Sequence, residues 1–143
     1  MIDRIRRLVA LTPRDRRLLL LGWLLFRLVG PALRLCSVTT LLPRGEATGI
    51  DDDPARVERI AWLVTVAGRH GRRRPSCLEE ALVLAWLLRR AGVPATMRIG
   101  VARRAGALHA HAWVEHRGRI VLGSADGLTY EPLHTAGAGA GSR

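Results

Sequence analysis

No lysine, asparagine or glutamine occurs among the 143 residues. The missing lysine reads as the codon bias of a GC-rich genome. The missing carboxamides constrain chemistry, because no such side chain can orient a histidine or donate a hydrogen bond to an oxyanion. Cysteine is nearly absent too. Cys36 and Cys77 allow one disulfide at most, which excludes a disulfide framework and fits a reduced, cytoplasmic setting. No compact apolar stretch with a small-residue cleavage site follows the basic start, so no secretory signal is expected. The most apolar run, residues 18–26, is nine residues long, whereas a bilayer span takes about 20. A buried or partner-facing helix is expected there, with shallow membrane contact as a minor option. Aromatic residues make up only 4%. They do not interleave with the scattered arginine pairs, which argues against a nucleic-acid surface.

What is present is a hydrophobic fraction of 48% and a net charge of +11. The first supplies a core for one domain. The second suits an acidic peptide or protein partner, or a solvated surface. The expected organisation is a helical segment over residues 1–50, a core over 51–133 and a flexible tail over 134–143.

Punctuation along the chain predicts the elements. Thr12 as cap, Pro13 at the first helical position and Asp15 in the first turn open a helix expected to stop near Val29, before Gly30-Pro31. A second short helix is expected over residues 32–38. Asp53-Pro54 opens another, with Val57, Ile60, Ala61, Val64 and Ala67 at helical spacing. The acidic run Asp51, Asp52 and Asp53 is read as capping, not as a metal site. Ser76-Cys77-Leu78-Glu79 is a capping box, followed by an apolar stretch to Leu88, a basic last turn and a Gly92 stop. A helix apolar all round is buried on most sides, so this one is expected at the centre. Strands are expected over residues 96–101, 108–115 and 119–122 as an antiparallel meander.

Two stretches carry chemistry. Cys77 falls at the first helical position, where free amides and the helix dipole favour thiolate and where its own amide can hold an oxyanion. On the second strand, alternation puts Leu108, Ala110, Ala112 and Val114 on one face and His109, His111, Trp113 and Glu115 on the other. A thiol at a helix start with an imidazole from a strand is the layout of cysteine-nucleophile catalysis. His111 is the expected base, with His109 and Trp113 as substrate-lining neighbours. Glu115 lies about 13 Å along the strand, too far to orient His111. Asp126, after the third strand, is the expected orienting acid, with Glu131 as the weaker candidate. One rival is a zinc hydrolase using His109 and His111 with Cys77 or Asp126. Another is a non-catalytic basic adaptor.

Cys77 opening its apolar helix, residues 87–95, Arg98-Ile99-Gly100-Val101 and His111-Ala112-Trp113-Val114-Glu115 together resemble the transglutaminase-like leader peptidases of lasso peptide biosynthesis. The resemblance covers residues 58–133. It implies an α+β, papain-like/transglutaminase-like fold, with a central helix on a small antiparallel sheet and an N-terminal helical segment. It also implies a Cys-His-Asp triad in which Cys77 is nucleophile and His111 base. No metal or other cofactor is expected. Relatives carry the acid in a Leu-Asn-Asp-like run where this chain reads Val121-Leu122-Gly123-Ser124-Ala125-Asp126. The implied substrate is a ribosomally made precursor peptide, cut at its leader. The implied partners are a small leader-recognition protein and an ATP-dependent macrolactam cyclase.

Overall fold

The computed structural model describes residues 11–43, 53–71, 73–123 and 130–136. Among the described residues four helices precede four strands: α1 (Pro13–Leu35), α2 (Val38–Leu41), α3 (Pro54–Arg69), α4 (Cys77–Arg90), β1 (Thr96–Arg104), β2 (Ala107–His116), β3 (Arg119–Leu122) and β4 (Glu131–Ala136). The fold is α+β, with an antiparallel sheet in the order β3-β2-β1-β4.

α1 begins as its sequence dictates. The Asp15 amide donates to the Thr12 hydroxyl and the Thr12 amide donates back to the Asp15 carboxylate, a reciprocal cap. Its end does not follow the sequence. The helix passes through Gly30-Pro31 without stopping and continues to Leu35. Proline removes one helical donor and crowds the carbonyl four residues back, at Arg27. Both Arg27 and Pro31 are exposed, so water can satisfy the freed carbonyl. Meanwhile Leu21, Leu25, Phe26, Val29 and Leu33 pack on the core from both sides of the expected break. Packing overrides the local signal. The resulting 23-residue helix has a window of mean hydropathy 1.7 and is, by length and composition, long and apolar enough to cross a membrane. The nine-residue run therefore understates it. Gly22 is buried, and a Cβ there would lie 3.4 Å from Ala67 Cβ, so a missing side chain lets α1 close on α3.

α3 is capped by Asp53, whose side chain accepts from the Ala55 amide. It buries Val57, Ile60, Ala61, Val64 and Ala67, the face its periodicity predicts, together with Leu63 and Gly68. Asp51 and Asp52 lie outside the described residues.

α4 is the centre of the molecule. Its capping box forms on both sides, with the Ser76 amide donating to Glu79 at 2.7 Å and the Glu79 amide to the Ser76 hydroxyl at 3.3 Å. Seven of the eight residues from Ala81 to Leu88 are buried. The exception is Trp86, whose indole N–H donates to the Leu41 carbonyl at 2.8 Å and ties α2 to the helix. At the far end Gly92 adopts φ +76°, and the Val93 amide returns to the Leu88 carbonyl.

β1, β2 and β3 form the expected meander. The first two run longer than expected and meet at Ala105-Gly106, both at positive φ, as do Arg117-Gly118 between β2 and β3. Two-residue turns of this kind match the twist of antiparallel strands. β4 is an addition that the sequence hid. It pairs with β1 on the far edge, starting at Glu131 and running into residues expected to be tail. Pro132 and the Ala/Gly-rich neighbourhood disguise it, and an edge strand tolerates proline. The inner face of the sheet (Met97, Ala112, Val114) packs against Leu82, Leu84, Leu87 and Leu88 in the main core.

Candidate active site

Cys77 is the first residue of α4 and is half-buried, with its thiol free of any disulfide. Its helix is held in place by charge. Arg73 forms a two-pronged ion pair with Glu79, one prong at 3.0 Å. Burial pushes the Glu79 carboxyl up, but the Arg73 guanidinium and the Ser76 donors outweigh it and hold the group below its ordinary value. For Glu80, one residue on, burial outweighs the Coulombic pull of Arg69 and raises the group. Beside the helix start is a cleft of about 210 Å³ lined by Trp23, Phe26, Arg27, Arg73, Pro75 and Glu79.

His111 stands on β2, the strand against which α4 packs most extensively. Its partner across the ladder is Gly100 of β1. A Cβ at Gly100 would come within 3.0 Å of the Trp113 ring, the Tyr130 Cβ and the Glu131 carbonyl. The missing side chain is what admits three rings to this face. His111 stacks on Trp113 with centroids 6.1 Å apart and meets Tyr130 at 5.2 Å. Its Nε2 donates to the Gly123 main-chain carbonyl at 2.8 Å. A carbonyl only accepts, so Nε2 carries the proton in the neutral ring and Nδ1 keeps its lone pair.

The floor under these rings is polar and closed. Trp113 is buried, and its indole N–H donates to Glu115 at 2.7 Å. Arg98 donates to the other Glu115 oxygen, also at 2.7 Å. Burial raises Glu115, and these two donors more than offset it, so the carboxylate sits below its ordinary value. Glu115 thus anchors Trp113, and Trp113 backs His111.

The sequence-expected residues are distributed as follows. His111, Trp113 and Glu115 share one face, as alternation requires. His109 lies on the exposed outer half of β2, beyond the helix-covered part. Leu108 was expected in the core but is 65% exposed, because the β1–β2 ribbon projects past α4 there. Asp126 lies outside the described residues. Glu131 opens β4 with an exposed side chain. No hydrogen bond joins Cys77 to His111 among the described residues. Sequence reasoning missed Tyr130, the site role of Gly100 and the Gly123 carbonyl. Gly100 stood inside the Arg-Ile-Gly-Val motif, and a glycine within a strand signals close approach. No group of three metal-ligating side chains forms among the described residues, so nothing there favours the zinc alternative.

A capped central helix that opens on a half-buried thiol, laid against an antiparallel sheet that carries an oriented imidazole, defines a papain-like class of architecture. The chain belongs to the transglutaminase-like superfamily, whose family model matches residues 8–135. That superfamily includes cysteine proteases and transferases, and membership is compatible with cysteine peptidase chemistry. No curated protein and no solved structure matches the chain.

Proposed function

We propose that the protein is a cysteine peptidase that removes the leader from a ribosomally synthesised lasso peptide precursor. The observation that carries the enzymatic reading is the 2.8 Å contact between His111 Nε2 and the Gly123 carbonyl, which assigns the ring its tautomer. With Nε2–H committed to a carbonyl, Nδ1 is the basic nitrogen, in the domain whose central helix opens on Cys77.

His111 Nδ1 takes the Cys77 proton, and the thiolate adds to the carbonyl carbon at the leader–core junction. The Cys77 amide at the helix start receives part of the developing oxyanion charge. On collapse the C–N bond breaks, the amine leaves with the proton held by His111, and a thioester remains. Water adds to the thioester as His111 takes its proton. The C–S bond then breaks, the Cys77 sulfur leaves and recovers the proton from His111, and the leader departs as an acid that ionises to its carboxylate. Catalytic hydrogen bonds commonly tighten only once substrate is bound, so the sulfur–imidazole contact is assigned to the precursor complex.

The substrate class and partners rest on the resemblance carried by residues 58–133. The outward face of α1 supports them with a surface. It exposes Leu20, Leu24 and Leu28 beside Arg16, Arg17 and Arg27 and carries no acid. That composition suits a small leader-recognition protein, or an acidic stretch of the leader, docking ahead of an ATP-dependent cyclase acting in the same pathway.

The deciding experiment is reconstitution with precursor and recognition partner, followed by mass spectrometry. Cys77→Ala is expected to abolish cleavage with an unchanged circular dichroism spectrum. Cleavage surviving in that variant refutes the peptidase reading.

A further inference from the structure

We propose that the main-chain carbonyl of Gly123 is the group that orients His111, in the place where a triad carboxylate is expected; the catalytic consequence rests on the peptidase reading above. Three observations converge on it. First, the Nε2–H of His111 is already engaged at 2.8 Å by that carbonyl. One N–H makes one well-aligned hydrogen bond, so a carboxylate could take the same nitrogen only by displacing the carbonyl. Second, the carbonyl is fixed by its backbone. Gly123 follows β3 at φ +79°, a conformation that L side chains rarely adopt. A Cβ there would stand 2.8 Å from the Ala112 carbonyl and 3.2 Å from the Trp113 backbone. Only glycine lets the chain press onto β2 beside the histidine. Third, the ring packs in a triangular cluster with Trp113 and Tyr130, whose centroids lie 6.1 and 5.2 Å from it and 6.1 Å from each other, and these contacts restrain its rotation. The chain holds no asparagine or glutamine that could serve instead.

A neutral acceptor does the tautomer-fixing work of a carboxylate without its charge. Gly123 is thus a positioning residue, and Asp126 is not required at Nε2.

The test uses full-length, 15N-labelled protein with Cys36→Ala, so that Cys77 is the only thiol. Long-range proton–nitrogen spectra report the His111 tautomer, and iodoacetamide alkylation reports Cys77 reactivity. Wild type and Asp126→Ala are both expected to show the Nε2–H form, with alkylation rates within threefold of each other. Gly123→Ala is expected to show a tautomer mixture and alkylation at least tenfold slower. An Nδ1–H form in wild type, or a changed tautomer or more than tenfold slower alkylation in Asp126→Ala, overturns the proposal. So does Gly123→Ala behaving like wild type. If circular dichroism shows that Gly123→Ala does not fold, the wild-type and Asp126→Ala measurements decide alone. Neither readout needs a substrate. Expected spectra combined with failure to cut any precursor would count against the peptidase reading and leave the Gly123 assignment standing.

Discussion

At the scale of single residues, the carboxylates divide by environment. Asp15, hydrogen-bonded by Arg59, lies below its ordinary value, as do Glu79 and Glu115 against their own donors. A carboxylate whose folded pKa is depressed contributes stability above its unfolded value and loses that contribution as pH falls through the folded one. The protein is therefore expected to lose stability from about pH 5 downward, measurable as a falling thermal midpoint. Glu80 has the opposite sign, because burial raises it and its ionised form opposes folding at neutral pH. Glu80→Gln is expected to raise the midpoint at pH 7, and the gain should vanish near pH 4, where the wild-type group is already neutral. An equal gain at both values would show that packing, and not charge, is responsible. Among these four acids, the sequence shows Asp15 in a first helical turn and the capping role of Glu79. It hides the burial of Glu80 and the Arg98–Glu115–Trp113 chain, which depend on strand register.

At the scale of elements, signals confined to a few residues predict boundaries well when nothing else competes. The caps at Thr12, Asp53 and Ser76 all form where the sequence places them. Gly30-Pro31 fails as a stop because apolar residues on both sides of it bury together. Pro31→Ala therefore keeps the helix and gains a donor, and is expected to raise stability by up to about 3 kcal/mol in a denaturant titration. A lower stability would mean that the proline shapes the helix to fit its neighbours. The turn at Arg117-Gly118 offers a milder case. Gly118 has φ +75° and open space around a Cβ. Gly118→Ala carries only the left-handed backbone penalty, about 1–2 kcal/mol, with the meander retained. β4 illustrates the reverse failure. Its residues carry weak strand preference, and they become a strand because β1 offers an unpaired edge.

At the scale of the whole molecule, α4 joins the parts, since helices α1 and α3 and the sheet all pack on it. Leu84 is fully buried at this junction, and Leu84→Ala is expected to cost about 2–5 kcal/mol by chemical unfolding. α1 belongs to the same packing unit, so deleting it would expose core residues and unfold the domain. The surface role assigned to its outer face is tested instead by Leu20→Glu with Leu24→Glu and Leu28→Glu, at positions 66%, 48% and 56% exposed. This triple variant is expected to keep the thermal midpoint within a few degrees and to weaken binding of the recognition protein at least tenfold in a pull-down or titration. Unchanged binding would remove α1 from the interface.

The sequence alone determined the starts of α1, α3 and α4, though not of α2, which was expected over residues 32–38 and begins at Val38. It also determined the buried faces of α3 and α4, the meander and the nomination of Cys77 and His111. Each is written in spacing or capping within about a dozen residues, where local geometry is stiff. The tertiary structure alone decided how far α1 runs, that β4 exists, and which atom holds His111 Nε2–H. These depend on contacts between residues far apart in the chain or on a main-chain oxygen. A carbonyl is present at every position, so its identity as an acceptor is invisible until folding brings a particular one beside the ring.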